Sequence, residues 1–287
     1  KEIKPEQLMK KYFLIIFLFL PLMAMSNENA VYHFSFVDSS STYIFGENVR
    51  VRQAPEIKDN NIIETLPAGY PVKIIQKTDK HMAQNGFREY WCRIGFNKNG
   101  KEMQGYAWGG VIAAGHINTG KDLFLLGFKK YEDEHGFSGE CRLIRNGRII
   151  STLPVMLHFI PSGEADPFYG YSISLKLNNN LGLAGLEQIV AINNDYGACG
   201  YPHGNIWVGV AKGKLYYLGI DSSVSEAGVF QYEEQMIFPA QDSTLKGEVR
   251  LVIENFEFDE KINDYRLTDR KEKRYTWKNF KMEERKQ

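Results

Sequence analysis

Val49-Arg50-Val51-Arg52-Gln53-Ala54-Pro55 is the stretch on which the fold class turns. Val49 and Val51 alternate with Arg50 and Arg52, so an extended chain there has one apolar face and one wet face. Short runs of the same kind recur between clusters of Gly, Asn, Asp and Pro, the pattern of an all-β protein. Strands are expected at Val31–Phe36, Asn48–Arg52, Val72–Gln76, Glu89–Phe96 and Gln104–Trp108 in the first part. In the second they are expected at Leu123–Lys129, Glu140–Arg145, Arg148–Leu153, Gly170–Leu177, Gln188–Asn193, Ile206–Val210, Lys214–Ile220, Glu248–Ile253 and Arg274–Trp277. Asn146-Gly147 is a strong hairpin signal, because Asn-Gly readily supplies both positive φ angles of a type I′ turn. Lys212-Gly213 is a weaker one. Beyond residue 27 no segment holds a 3.6-residue apolar period. The nearest, Leu181–Val190, is interrupted by Gly182 and Gly185.

Met9–Asn27 reads differently. Lys10 and Lys11 precede an apolar run from Tyr12 to Met25, and Ala24 and Ser26 are small residues just before Asn27. That is the layout of a secretory signal peptide, and the run is shorter than the ~20 residues of a spanning helix. The expectation is a helical leader over residues 1–26, with 1–8 as upstream read-through, and export to the periplasm or beyond. About 260 residues then remain, enough for two ordinary domains. Lys+Arg and Asp+Glu both number 35, so no electrostatic footprint for nucleic acid exists. The basic C-terminal stretch (Arg270, Lys271, Lys273, Arg274, Lys278, Lys281, Arg285, Lys286) is broken by Glu272, Glu283 and Glu284 and reads as a solvated tail. No cysteine follows the apolar run, so a lipid anchor of the usual kind has no attachment point. Of the three cysteines, Cys92 shares a face with Ile94 and Phe96 and is expected in the core, while Cys141 and Cys199 could form a disulfide.

Between Gly46 and Ala114 four landmarks come in order: Val49-Arg50-Val51-Arg52-Gln53-Ala54-Pro55, then Leu66-Pro67-Ala68-Gly69-Tyr70-Pro71-Val72, then Trp91-Cys92-Arg93-Ile94, then Gly105-Tyr106-Ala107. This order resembles the bacterial SH3-like domain. Two departures are the polar insertion Thr78–Arg88 and Ala107, where a branched apolar residue is usual. The resemblance implies a small barrel over residues 27–115 that binds a cell-wall peptide, a glycan or an envelope protein. Tyr90, Trp91, Tyr106 and Trp108 are the candidate ligand-binding residues: at the barrel rim they would form an aromatic shelf, which gives contact area at low entropy cost. The competing reading has them plugging the barrel. Gly109-Gly110, Gly115 and Asn118-Thr119-Gly120 mark the boundary to a larger antiparallel β domain, sandwich or open sheet, over residues 121–287.

That second part resembles β-rich domains found behind SH3-like domains in exported proteins of unassigned role. The resemblance rests on Asp195–Asn205, the Gly213 hairpin and Ala227-Gly228-Val229-Phe230 before Ile237-Phe238-Pro239. Its chemistry is sparse. Cys141 with His203 faintly resembles a papain-like wall endopeptidase, but such a thiol belongs at a helix start and Cys141 stands in a strand-like run. Cys199, His203 and Asp195 fall short of a four-ligand zinc site. Asn178-Asn179-Asn180 lacks the carboxylates of a calcium loop, and His158, Glu164 and Asp166 read as surface groups. No catalytic set, metal site or cofactor is expected. The reading is a non-catalytic envelope binding protein, against a wall hydrolase or a purely structural periplasmic protein.

Overall fold

The structure, a computed structural model, describes residues 31–32, 38–132, 136–157, 171–196 and 199–285; the leader lies outside them. The fold is all-β, with short 3-10 turns as its helical content among the described residues. Three sheets follow one another along the chain. The first contains β1 (Val31–Tyr32), β2 (Ser41–Tyr43), β3 (Val49–Arg52), β4 (Ile62–Leu66), β5 (Pro71–Gln84), β6 (Phe87–Lys98) and β7 (Lys101–Trp108). Its order is β2-β5-β6-β7-β3-β4, with β1 parallel to β6. The second is a meander of β8 (Gly115–Asn118), β9 (Leu123–Glu132), β10 (Gly136–Arg145) and β11 (Arg148–Leu157). The third is a longer meander of β12 (Tyr171–Asn178), β13 (Gln188–Tyr196), β14 (His203–Ala211), β15 (Lys214–Glu226), β16 (Phe230–Ile237), β17 (Glu248–Asp259), β18 (Asp264–Lys278) and β19 (Lys281–Glu284).

The alternation that suggested strands also sets what each face buries. In β3, Val49 and Val51 are buried while Arg50 is exposed. The first sheet wraps these valines together with Leu66, Val72, Ile74, Cys92, Ile94 and Phe96 into a core of its own. Cys92 is fully buried, as expected from its register with Ile94 and Phe96. Asn146 and Gly147 both take positive φ (52° and 72°), and so do Lys212 and Gly213 (50° and 70°), which is the turn geometry that hairpins with right-handed twist require. The polar run Thr78–Arg88 is no loose insertion. It extends β5 and β6 into a long hairpin whose Phe87 is buried and whose Asn85 carbonyl accepts from the Tyr131 N–H of β9 at 3.0 Å.

The glycine-dense stretch after Trp108 carries strand β8, which pairs with β9. Gly115 faces β12 so closely that a Cβ there would lie 2.3 Å from Leu175 Cδ1. A second apolar cluster joins Phe87, Trp91 and Trp108 of the first sheet to Phe124, Leu126, Phe137 and Leu143 of the second and to Val190, Ile206 and Val208 of the third. The first sheet therefore owns only the core inside its curl; its outer face belongs to a cluster shared by all three sheets.

The second sheet is buried on both faces. Leu126, Cys141 and Leu143 point into the shared cluster. Leu125 and Ile144 point the other way, against Phe45, Ala68 and Ala113. On that face Arg142 is 4% exposed. Its guanidinium lies 4.2 Å from the Phe45 ring centroid, donates to the Phe45 carbonyl at 2.7 Å and meets Glu140 at 2.6 Å. The ring also rests on Gly127, where a Cβ would come within 2.3 Å of ring carbons. Gly127→Ala is therefore expected to push Phe45 off its seat and cost about 1–3 kcal/mol, the usual price of overpacking. Urea denaturation of the purified protein checks it; an unchanged midpoint would mean the ring has room to move.

Candidate functional site

The third sheet contains a fork. β15 stays paired with β14 from Lys214 to Ser223, and β16 stays paired with β17. Between β15 and β16 the ladder runs only from Glu226↔Phe230 to Ser223↔Glu233. Before Ser223 the strands part. Two features shape the fork. The first is a β-bulge: Trp207 opposes Gly219 and Val208 opposes Tyr217, which leaves Leu218 as the extra residue. Gly219 has φ 152°, and a Cβ on it would lie 2.7 Å from Met236 Sδ. Across the bulge Leu218 is buried, while Tyr217 is 51% exposed.

The second feature is Asp221, buried at the apex. Its carboxylate accepts from the Asn205 backbone N–H at 3.1 Å, Asn205 Nδ2 at 2.9 Å and Trp207 Nε1 at 2.8 Å. A fourth donor, the Met236 N–H at 3.2 Å, comes from across the fork. One side chain thus ties three strands together where the ladder gives out, and the Trp207 ring packs on Phe238 at 4.8 Å.

The fork opens into a cleft of about 490 Å³ lined by Tyr217, Glu234, Leu251, Tyr275, Phe280 and Lys281 among others. Phe280 closes the far wall. It sits in the β18–β19 turn with φ 61°, after Asn279 at 50°, an unfavourable backbone region for a bulky residue. Its ring is held by stacking on Tyr216 at 5.1 Å and by an edge contact with Trp277 at 6.2 Å. Glu234 is half-buried and accepts from Tyr232 Oη at 2.5 Å and Ser222 Oγ at 3.3 Å. Burial pushes up the Tyr217, Tyr232 and Tyr275 phenols, and the Glu234 charge adds to the rise in each; Glu284 contributes further at Tyr275. Tyr232, which also donates to Glu234, is pushed up to about 12. The three phenols are neutral hydrogen-bonding groups around one carboxylate.

The residues singled out from the sequence lie elsewhere. Trp91 and Trp108 face each other across β6 and β7 and are only 4% and 5% exposed. Trp108 Nε1 donates to the carbonyls of Met82 and Glu89, both at 3.0 Å, and its ring stacks on Phe87 at 5.3 Å. Tyr106 is half-buried against the same cluster. Tyr90 lies on the opposite face, edge-on to His81 at 6.0 Å, with Lys77 Nζ 4.8 Å from its ring centroid. No shared shelf forms, because the second sheet covers the face on which the tryptophans project. The rim reading is corrected accordingly.

The disulfide expectation is corrected as well: Cys141 and Cys199 are both free, the first buried in β10 and the second exposed in a turn. Burial pushes the Cys92 and Cys141 thiols up to about 12, the reverse of what a nucleophilic thiolate needs. His203 Nε2 lies 3.2 Å from Ser223 Oγ on an exposed edge, and Asp195 is exposed on β13. The side chains of Asn179 and Asn180 accept from the Leu181 and Gly182 N–H groups, capping their own loop. His158, Glu164 and Asp166 lie outside the described residues. Among the described residues no group of three or more His, Cys, Asp or Glu is placed to hold a metal ion.

The cleft was missed from sequence because its walls meet only through the long-range parting of β15 and β16. The one local trace is Tyr216-Tyr217, a tyrosine pair inside an expected strand. No family model, curated protein or solved structure matches the chain.

Removing the Glu234 charge should be visible in an alkaline titration of phenolate absorbance. Wild type is expected to show a tyrosine ionising near 12 rather than at the ordinary 10, and Glu234→Gln should bring that step down. Because the folded value lies above the unfolded one, the associated stability is full below pH 10 and is lost as pH rises through 12. An unmoved high step in the variant would show that Glu234 does not control it.

Proposed function

We propose that this is an exported, non-catalytic binding protein of a bacterial envelope, with an SH3-like first part and its ligand contact in the cleft of the third sheet. The leader over residues 1–26 supports export, and the ordered landmarks from Val49 to Ala107 support the SH3-like reading of residues 27–115. The observation that carries the binding role is the cleft itself. It offers the half-exposed Tyr217 ring, the Tyr275 ring and a single carboxylate in a concave, largely apolar setting, the usual composition of a ligand pocket. The partner is a cell-wall component or an envelope protein. Against a thiol-dependent wall hydrolase stands the Cys141 thiol, fully buried with its ionisation suppressed.

The test is retention on purified cell-wall sacculi of the mature protein secreted from a bacterial host. Wild type should be retained, and Tyr217→Ala and Glu234→Gln should each weaken retention about tenfold, which corresponds to ~1.4 kcal/mol, with thermal melting unchanged. Equal retention of wild type and variants would move the contact away from the cleft. Release of soluble wall fragments by wild type would favour the hydrolase, and no retention of wild type would favour a structural role.

A further inference from the structure

Several charges on the outer strands of the third sheet are paired. Arg270 meets Glu254 and Glu272, Arg274 and Arg285 meet Glu248, Arg250 meets Asp242 and Lys271 meets Asp269. Glu234 and Lys281 are among those that are not. Both line the same cleft, yet among the described residues neither makes an ion pair, with each other or with anything else. The carboxylate has only the hydroxyl groups of Tyr232 and Ser222 as partners, and those leave its negative charge uncompensated.

We infer that the cleft takes a zwitterionic amine, with the ligand's ammonium on Glu234 among the tyrosine rings and its carboxylate on Lys281. The inference rests on the cleft being the ligand site. Ring faces attract an ammonium through their quadrupole, and the attraction grows when the cation is desolvated. Tyr217, Tyr275 and Glu234 line the same cleft, so the carboxylate and the two rings border one space. Met236, Met282 and Leu251 line the space between, and thioethers adapt to a short methylene body. A simple cation would leave Lys281 opposing it. A neutral sugar would find few of the several hydrogen-bonding groups its hydroxyls need, since the lining side chains are otherwise apolar.

The experiment uses the full mature protein and calorimetric or NMR titration with β-alanine, γ-aminobutyrate and ε-aminocaproate, which vary the separation of the two charges. Butylammonium, butyrate and N-acetylglucosamine are the comparison probes. One amino acid of the series should bind about tenfold or more tighter than butylammonium or butyrate. Glu234→Gln should lose that binding, and Lys281→Gln should bind the amino acid and butylammonium alike, both variants melting as wild type. Butylammonium binding wild type as tightly as the amino acid would overturn the zwitterion in favour of a plain cation, and binding of N-acetylglucosamine alone would overturn it in favour of a glycan. If none of the probes binds while sacculus retention still depends on Tyr217, the inference fails and the cleft reading stands. If that retention is also insensitive to Tyr217, both fail.

Discussion

The Phe45 ring, packed on the bare backbone of Gly127 and against the guanidinium of Arg142, seats the first part of the chain on the second sheet. A buried guanidinium is costly unless its charge and its donors are met. Here they are met by Glu140 on the same strand, by the Phe45 carbonyl and by the ring face. Glu47 adds a longer contact at 3.7 Å. This fixes the turn after β2 on the face of β9 and β10, and it leaves the opposite face of the second sheet free to bury Leu126, Cys141 and Leu143 against the other two sheets. The tryptophans of β6 and β7 are drawn into that layer, where they are core residues.

The same economy of single polar residues shapes the third sheet. A meander could close every ladder fully. This one does not, because the bulge at Leu218 and Gly219 turns β15 away from β16. Asp221 makes the separation tolerable by accepting three donors from β14 and one from β16, so its buried carboxylate is not left unsatisfied where the strands part. The stack of Tyr216 on Phe280 braces the other side. The cleft is the space that these constraints leave.

Much of the fold was legible because strand alternation and turn chemistry are local. Val49 and Val51 chose their face unaided, and Asn146-Gly147 announced its turn. Strands without alternation were not legible: Phe230–Ile237 and the charged outer part of β18 are held in the sheet by their neighbours' ladders. Trp91 and Trp108 could be read as aromatic residues sharing a face, but no local pattern says whether that face meets water or another sheet. The parting of β15 from β16 is set by a bulge opposite Trp207 and by a carboxylate reaching Met236. Neither pairing can be inferred from residues adjacent in sequence, so the cleft stayed invisible.

If the sheets share one core, they should open together. Native-state hydrogen exchange measures this residue by residue, since amides in separately cooperative units open with separate free energies. The protected amides of β6 and β7, of β10, and of β13 and β14 are expected to converge on one opening free energy as denaturant is raised. A first sheet whose amides exchange through a distinctly lower opening, while β10 and β14 remain protected, would contradict the account and return residues 27–115 to an independent domain.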